Sequence, residues 1–260
     1  MEGMKSKMQK QKAVKNVLEL VQSDWKAKTF RSDYPVSEDL REVMVNEYIR
    51  DFMIYAIDEY YHDENLSLLK ELVDDLQPSK EKHQGLLDNL FWWDLLYQST
   101  RKPKLRCMDD YIAQKNHMLR NKPFITSWLK ECNRAVPKFY YVGHTYNDRA
   151  FVAIDVLAEE TMDVVIYDPT ACPVKKGEFI AGTLLPLGGG LFFPIVDFYH
   201  FDYQAREAMA SCIHHHYEKY LKTSTLHEAF IHVLSVMLQI EKIISKEQAN
   251  ATSGKHSTLK

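Results

Sequence analysis

The sequence predicts an α+β protein in which helical regions flank a small five-stranded antiparallel β-barrel of SH3 or OB size. Five short runs rich in Val, Ile, Phe and Tyr follow one another between residues 138 and 198, with turn residues between them. No connection between successive runs is long enough for a crossover helix, so antiparallel pairing is expected. Apolar residues at three- and four-residue intervals before and after this stretch predict helices on both sides.

The barrel is predicted to occupy residues 136–201. Its strands are expected at 138–142, 149–157, 162–167, 178–185 and 191–196. Residues 179–196 form a run of eighteen without a charge, which is long enough to suggest a membrane span. The three consecutive glycines at 188–190 would leave backbone groups unsatisfied in lipid, and no lysine follows them as in a phosphate-binding loop. These glycines therefore predict a hairpin turn.

Helices are predicted on both sides of the barrel. The N-terminal helical domain is expected to cover residues 1–135, with helices at 13–23, 39–61, 65–76, 80–98, 108–119 and 123–132. The C-terminal helices, within 202–247, are expected at 202–221 and 224–245 and to pack back against the preceding parts. Residues 248–260 are polar and low in apolar side chains, so they predict a disordered tail.

Part of the β region resembles a small β module of uncharacterised, mostly helical bacterial proteins, some of which end in a zinc-binding SEC-C tail. The resemblance covers about residues 123–205. It is carried by Trp128 and by the segments 137–142, 152–157 and 176–185. It implies a small barrel and no particular activity. This chain has no Cys-x-Cys or Cys-Cys tail, so the zinc is not carried over.

The composition is that of an ordinary globular protein, with 45% apolar and 27% charged residues and a net charge of −3. The four cysteines are far apart and form no Cys-x-x-Cys pair, which argues against a disulfide framework and favours a reducing compartment. The lysine-rich start is not followed by the apolar run of a secretory signal. We therefore expect a cytoplasmic protein with no membrane partner and no cofactor.

The densest group of metal-capable side chains lies in the C-terminal region. The candidate ligands are Cys212, His214, His216 and Glu218. On a helix, residues four apart share a face and could hold one metal ion. Adjacent histidines point in different directions, however, so at most one or two of them could ligate together. A polar helix face is the interpretation that we favour.

The strongest internal basic segment is 101–122, with seven basic residues against Asp109 and Asp110. Its candidate contacts to phosphate or to an acidic partner are Arg101, Lys102, Lys104 and Arg106. The barrel opposes nucleic acid, because residues 137–200 hold four basic and eight acidic residues. A solvated loop is the alternative for the basic segment.

Three functional hypotheses remain. The first is a non-catalytic interaction or adaptor module whose partner is another protein, favoured because no complete set of catalytic residues is recognisable. The second is a nucleic-acid-associated protein that uses 101–122, and the third is a metal-dependent enzyme centred on 212–218. Whether the chain is an enzyme is therefore left open by its sequence.

Overall fold

Helices occupy the chain on the N-terminal side of the sheet, as predicted. The computed structural model describes residues 28–61, 63–97 and 106–257, so the predicted helix 13–23 lies outside the described residues. The helices of this region are α1 (Glu38–Val43), α2 (Arg50–Tyr60), α3 (Asp63–Leu76), α4 (His83–Tyr97), α5 (Cys107–Gln114), α6 (Asn116–Leu119) and α7 (Pro123–Cys132). A π-helical stretch, Met44–Ile49, joins α1 to α2.

The apolar spacing of these helices corresponds to the faces that they bury. Met44, Tyr48 and Phe52 recur every four residues and are all buried. Pro123 is the first residue of α7, where the missing N–H of proline is harmless. The side chain of Trp128 in α7 is fully buried and donates from Nε1 to the carbonyl oxygen of Pro186 at 2.7 Å. This bond ties the helical region to the sheet.

The sheet has seven strands and curls into a half-barrel, so the predicted five-stranded antiparallel barrel is corrected. The strands are β1 (Lys138–Asn147), β2 (Ala150–Asp155), β3 (Thr161–Val165), β4 (Phe179–Gly182), β5 (Leu184–Gly188), β6 (Leu191–Pro194) and β7 (Tyr199–His200). Their order is β5-β6-β3-β2-β1-β4-β7.

Two features of the sheet differ from the prediction for physical reasons. The run 178–185 divides at Thr183, because β4 pairs with β1 whereas β5 pairs with β6. Strands β3 and β6 are parallel, since the chain between them passes through β4 and β5 and returns. The lengths of the connections between successive strands do not reveal a pairing between strands that are not successive. The predicted hairpin at the glycines is confirmed, with positive φ at Gly188, Gly189 and Gly190.

Three hydrophobic cores hold the layers together. Residues inside the curl form one core, and alternate residues of β1, β4 and β7 join the C-terminal helices and α4 in a second. The outer side chains of β5 and β6, including Leu185 and Phe193, pack with the N-terminal helices in a third. Helices therefore cover the sheet near both of its edges.

The C-terminal helices pack back on the sheet, as predicted. They are α8 (Arg206–Leu221) and α9 (Leu226–Ser257). Thr225 and Glu228 form a capping box at the start of α9, since each backbone N–H donates to the side chain of the other residue. Helix α9 extends to Ser257 and so includes residues 248–257 of the segment 248–260, for which a disordered tail was predicted. Among the described helices, none combines the length and the hydropathy that crossing a membrane requires.

Candidate functional site

The outer face of strands β1–β3 lies between the two helix-covered ends of the sheet. Successive residues of a strand point to opposite faces. Tyr140 and Ala153 belong to the core inside the curl, so Tyr141, Val152 and Ile154 point outward. Tyr141 is 38% exposed, and the other two are half-buried. We call this surface the open face.

Strand register sets the open face in rows. Tyr141 of β1 lies opposite Ile154 of β2, and His144 lies opposite Val152 in the next row. Val152 in turn lies opposite Asp163 of β3. Side chains that face each other across neighbouring strands are close enough to contact. The row of Tyr141 and Ile154 is thus apolar, whereas the next row places Val152 between His144 and Asp163.

A glycine flattens the middle of the open face. A Cβ at Gly143 would lie 2.9 Å from Cδ1 of Ile154, so this isoleucine extends over β1 only because residue 143 has no side chain. Tyr146 is 60% exposed, and its hydroxyl donates to Oδ1 of Asp163 at 3.2 Å. That hydrogen bond raises the pKa of Tyr146, because it favours the neutral phenol. The tyrosine is therefore held over the face as a hydrogen-bond donor.

Carboxylates border the open face. Asp163 lies on the face itself, Asp148 lies in the turn between β1 and β2, and Glu159 and Glu160 lie between β2 and β3. All four residues are exposed. Exposed charges of one sign around an apolar surface attract a ligand of the opposite sign.

The basic residues of the same part of the chain are fewer than the carboxylates, and one of them is paired with a buried group. Lys138 is bound to the buried carboxylate of Asp155 at 2.5 Å. The guanidinium group of Arg149 donates to the carbonyl oxygens of Asp168 and Pro169. Arg149 keeps its positive charge, because carbonyl oxygens are neutral, and Lys175 and Lys176 are exposed. The eight carboxylates of residues 137–200 nevertheless outnumber the four basic side chains.

A histidine between two carboxylates fixes the chain beside β4 and β7. His200 Nδ1 lies 3.0 Å from Oε1 of Glu178, whereas Nε2 lies 3.8 Å from Oδ1 of Asp197, beyond hydrogen-bonding distance. Burial alone would lower the pKa of His200, but the two carboxylates outweigh burial and raise it to about 9. The imidazolium form is therefore favoured at neutral pH.

Cys172 lies beside this histidine cluster without the surroundings of a reactive thiol. Its backbone N–H donates to Oδ2 of Asp197 at 2.9 Å. Burial, followed by the charges of Asp197 and Glu178, raises the pKa of the Cys172 thiol. The thiolate is the nucleophile, and a raised pKa disfavours it. This arrangement favours a structural role over nucleophilic catalysis.

An open cleft of about 330 Å³ lies where α9 meets the chain after β7. Lys82 lies 2.6 Å from Oδ1 of Asp202 and 2.5 Å from Oε1 of Glu241. Tyr199 donates to Glu241, and Ser245 donates to Asp202. Burial would raise the pKa of Asp202, but the bonds from Lys82 and Ser245 together hold it below its usual value. These groups satisfy one another, so we interpret the cluster as a link between elements.

The structure places the predicted metal ligands apart from any metal-binding group. These ligands are Cys212, His214, His216 and Glu218 on α8. The thiol of Cys212 bonds to the carbonyl oxygen of Met209, and the ring of His216 stacks on Tyr220. His214 and Glu218 are exposed. Over the described residues, no three or more His, Cys, Asp or Glu side chains are placed to hold a metal ion.

Of the four predicted basic contacts, Arg101, Lys102 and Lys104 lie outside the described residues. Arg106 is the N-cap residue of α5, and its guanidinium group donates to the carbonyl oxygen of Asn133. It therefore links α5 to the end of α7. The open face was not predicted as a site, because β2 is apolar on nearly both faces, which favours a strand that helices cover on its outer side. The charge count of 137–200 does indicate the acidic character of this surface.

Comparison of the chain with family models, with curated proteins and with solved structures gives no match. The resemblance of residues 123–205 to the bacterial β module therefore stays a prediction.

Proposed function

We propose that the protein is a non-catalytic interaction module that binds a basic, partly apolar segment of another protein on the open face. The observation that carries this proposal is the outward group of Tyr141, Ile154 and Val152 on neighbouring strands, bordered by carboxylates. Burial of such apolar side chains supplies affinity, at about 25 cal/mol per Å² of apolar surface removed from water. The carboxylates supply selectivity for a cationic partner.

The charge of the surface supports a basic partner in particular. Residues 137–200 carry four basic and eight acidic residues. Among the basic residues, Lys138 is already paired with the buried carboxylate of Asp155, so the other three face seven carboxylates. The carboxylates would attract a basic segment, whereas they would repel the phosphates of nucleic acid.

Another exposed apolar surface occurs on α2, where Ile54 and Ile57 are exposed. Charges of both signs surround these side chains, since Arg50 and Asp58 are exposed on the same helix. That surface selects no partner by charge. The open face is therefore the better supported site.

The other functional hypotheses have less support. Within 106–122, Lys115 is paired with Asp51, and the guanidinium group of Arg106 is held against the carbonyl oxygen of Asn133, so these two side chains are less free to reach phosphate. The metal-dependent enzyme centred on 212–218 gains nothing from the exposed or stacked side chains of that stretch. All four cysteines are free thiols, which suits the cytoplasmic location that we propose.

A peptide-binding experiment tests the proposal. The probes are a fluorescent peptide of alternating Lys and Leu and the same peptide with Glu in place of Lys. The variants are Ile154→Ser, which removes the apolar centre, and Glu159→Lys/Glu160→Lys, which reverses the rim. Glu71→Lys/Asp75→Lys, on the exposed surface of α3, is the matched control.

We expect the wild-type protein to bind the Lys–Leu peptide in preference to the Glu–Leu peptide. Each open-face variant should weaken that binding about tenfold, which corresponds to about 1.4 kcal/mol. The control should bind as the wild type does. Equal binding of both peptides, or equal weakening in the control, would refute the proposal. A dimer abolished by Ile154→Ser would instead identify a second copy of this chain as the partner.

A further inference from the structure

A second cleft, of about 410 Å³, lies among α5, α6, α7 and the chain before α1. It is independent of the open face, since none of its lining residues belongs to the sheet. The residues that line it are Lys28, Ile112, Asn116, Leu119, Arg120, Pro123, Thr126, Ser127 and Lys130. No carboxylate is among these lining residues, which distinguishes this cleft from the one that contains Asp202 and Glu241.

Three cations converge on the cleft from separate segments. Lys28 precedes α1, Arg120 follows α6, and Lys130 lies in the last turn of α7. In the described parts of the chain, no ion pair joins any of the three to a carboxylate. By contrast, neighbouring Lys115 is paired with Asp51. The three charges of the cleft are therefore available to an anion.

Neutral donors accompany these charges. The hydroxyl oxygen of Ser127 accepts a hydrogen bond from the backbone N–H of Phe30 at 3.2 Å, which leaves the hydroxyl proton of Ser127 to donate elsewhere. Asn116 offers a side-chain amide. Thr126 differs, because its hydroxyl donates to the carbonyl oxygen of Lys122. Ser127 and Asn116 can thus donate hydrogen bonds to the oxygens of an anion that the three cations attract.

The cleft also has an apolar wall, made by Ile112, Leu119 and Pro123. Small-molecule sites combine such a wall with a few placed polar groups in volumes of about 300–1,000 Å³. A bare inorganic anion would leave the wall in contact with water. A ligand with both an anionic and an organic part would use both surfaces.

We propose that this cleft binds a small organic phosphate monoester. A phosphate dianion matches three converging cations better than a monovalent carboxylate does, and the planar guanidinium of Arg120 suits two of its oxygens. The organic part of the ligand packs against Ile112, Leu119 and Pro123. The limited volume of the cleft, about 410 Å³, suits a small molecule, whereas a nucleic-acid backbone would track an extended basic surface.

Titration calorimetry of the full-length protein tests this site with phenyl phosphate, inorganic phosphate and a single-stranded oligonucleotide as probes. The test variant is Arg120→Gln/Lys130→Gln, and the control is Lys70→Gln/Lys80→Gln, two exposed lysines outside the cleft. Circular dichroism and thermal unfolding establish that both variants fold. A further variant, Ile112→Ser, removes part of the apolar wall without a change of charge.

We expect phenyl phosphate to bind more tightly than inorganic phosphate, and Arg120→Gln/Lys130→Gln to weaken it by about tenfold or more. The control should leave binding unchanged, and Ile112→Ser should reduce the advantage of phenyl phosphate over inorganic phosphate. The proposal is overturned if phenyl phosphate does not bind at low salt or if the control weakens binding equally. Tight binding of the oligonucleotide without binding of phenyl phosphate would also overturn it, in favour of nucleic acid.

Discussion

Nζ of Lys82 lies 2.5 Å from Oε1 of Glu241, although 159 residues of chain separate the two. The same carboxylate accepts from the hydroxyl of Tyr199 and from the backbone N–H of Asp202. The Glu241 side chain is only 7% exposed. Its charge is compensated in the folded state by Lys82 and these two donors, so the pair holds α9 against the chain before α4.

Removal of Lys82 should therefore destabilise the protein strongly. Lys82→Met keeps the length of the side chain but leaves the buried carboxylate of Glu241 without its cation. We expect the free energy of unfolding in urea to fall by about 2–4 kcal/mol. Lys80→Met, a change at a nearby exposed lysine, is the control and should stay within about 0.5 kcal/mol of the wild type. Equal stability of the two variants would contradict this role of Lys82.

His200 should make stability depend on pH in the neutral to alkaline range. Its pKa is raised from 6.5 to about 9 in the folded protein, so the cation stabilises the folded state fully below pH 6.5 and loses this effect as the pH rises through 9. By linkage the loss is about 1–3 kcal/mol. The variant His200→Asn keeps a hydrogen-bond donor to Glu178, but its side-chain amide does not titrate.

The measurement is the free energy of unfolding of both proteins as a function of pH. We expect the wild type to be the more stable protein below pH 6.5 and the difference to shrink as the pH approaches 9. Both proteins are measured with Cys172→Ala, which removes the thiol beside His200, so the difference reports on the imidazole. A difference that does not change with pH would show that the imidazolium has no net stabilising effect.

Two glycines of the β5–β6 hairpin provide a matched pair. Both have positive φ, but a Cβ at Gly188 would lie 2.5 Å from the carbonyl oxygen of Tyr34, whereas a Cβ at Gly190 would meet nothing within 4 Å. Gly190→Ala should cost only the backbone strain of about 1–2 kcal/mol. Gly188→Ala must also displace the backbone before α1, so its loss of unfolding free energy should be clearly larger. Equal losses would mean that the hairpin does not pack on that segment.

The helices were largely predictable because their apolar residues recur with a helical period and because prolines and caps mark their ends. Thr225 before α9 and Pro123 in α7 are such signals. The end of α9 was not predictable from hydrophobicity, since the helix extends to Ser257 through a stretch with no apolar face. Local sequence therefore indicates where an apolar face ends, which need not be where the helix ends.

The closure of the sheet could not be deduced from the sequence. Strand alternation predicts which residues face inward, as at Tyr140 and Ala153, but does not specify pairing partners. The division at Thr183 and the parallel contact of β3 with β6 depend on how the chain crosses the curl. Such long-range pairings leave no local periodic signal.

The candidate site combines predictable and unpredictable parts. The acidic balance of residues 137–200 is present in the sequence. The exposure of the outer face is not, because β2 is apolar on nearly both faces, a pattern that is typical of a strand covered by helices on its outer side. Only the arrangement of helices near the two edges of the sheet leaves Ile154 and Val152 accessible.

The most direct test of the interaction proposal is a nuclear magnetic resonance titration of isotope-labelled protein with the Lys–Leu peptide. We predict that peptide-induced changes in backbone amide chemical shift concentrate at Tyr141, His144, Tyr146, Val152 and Ile154. Added salt should weaken binding of the peptide, because the carboxylates of the rim attract it through charge. Shifts confined to α5–α7, or no saturable shifts on β1–β3, would contradict the assignment of the open face as the binding surface.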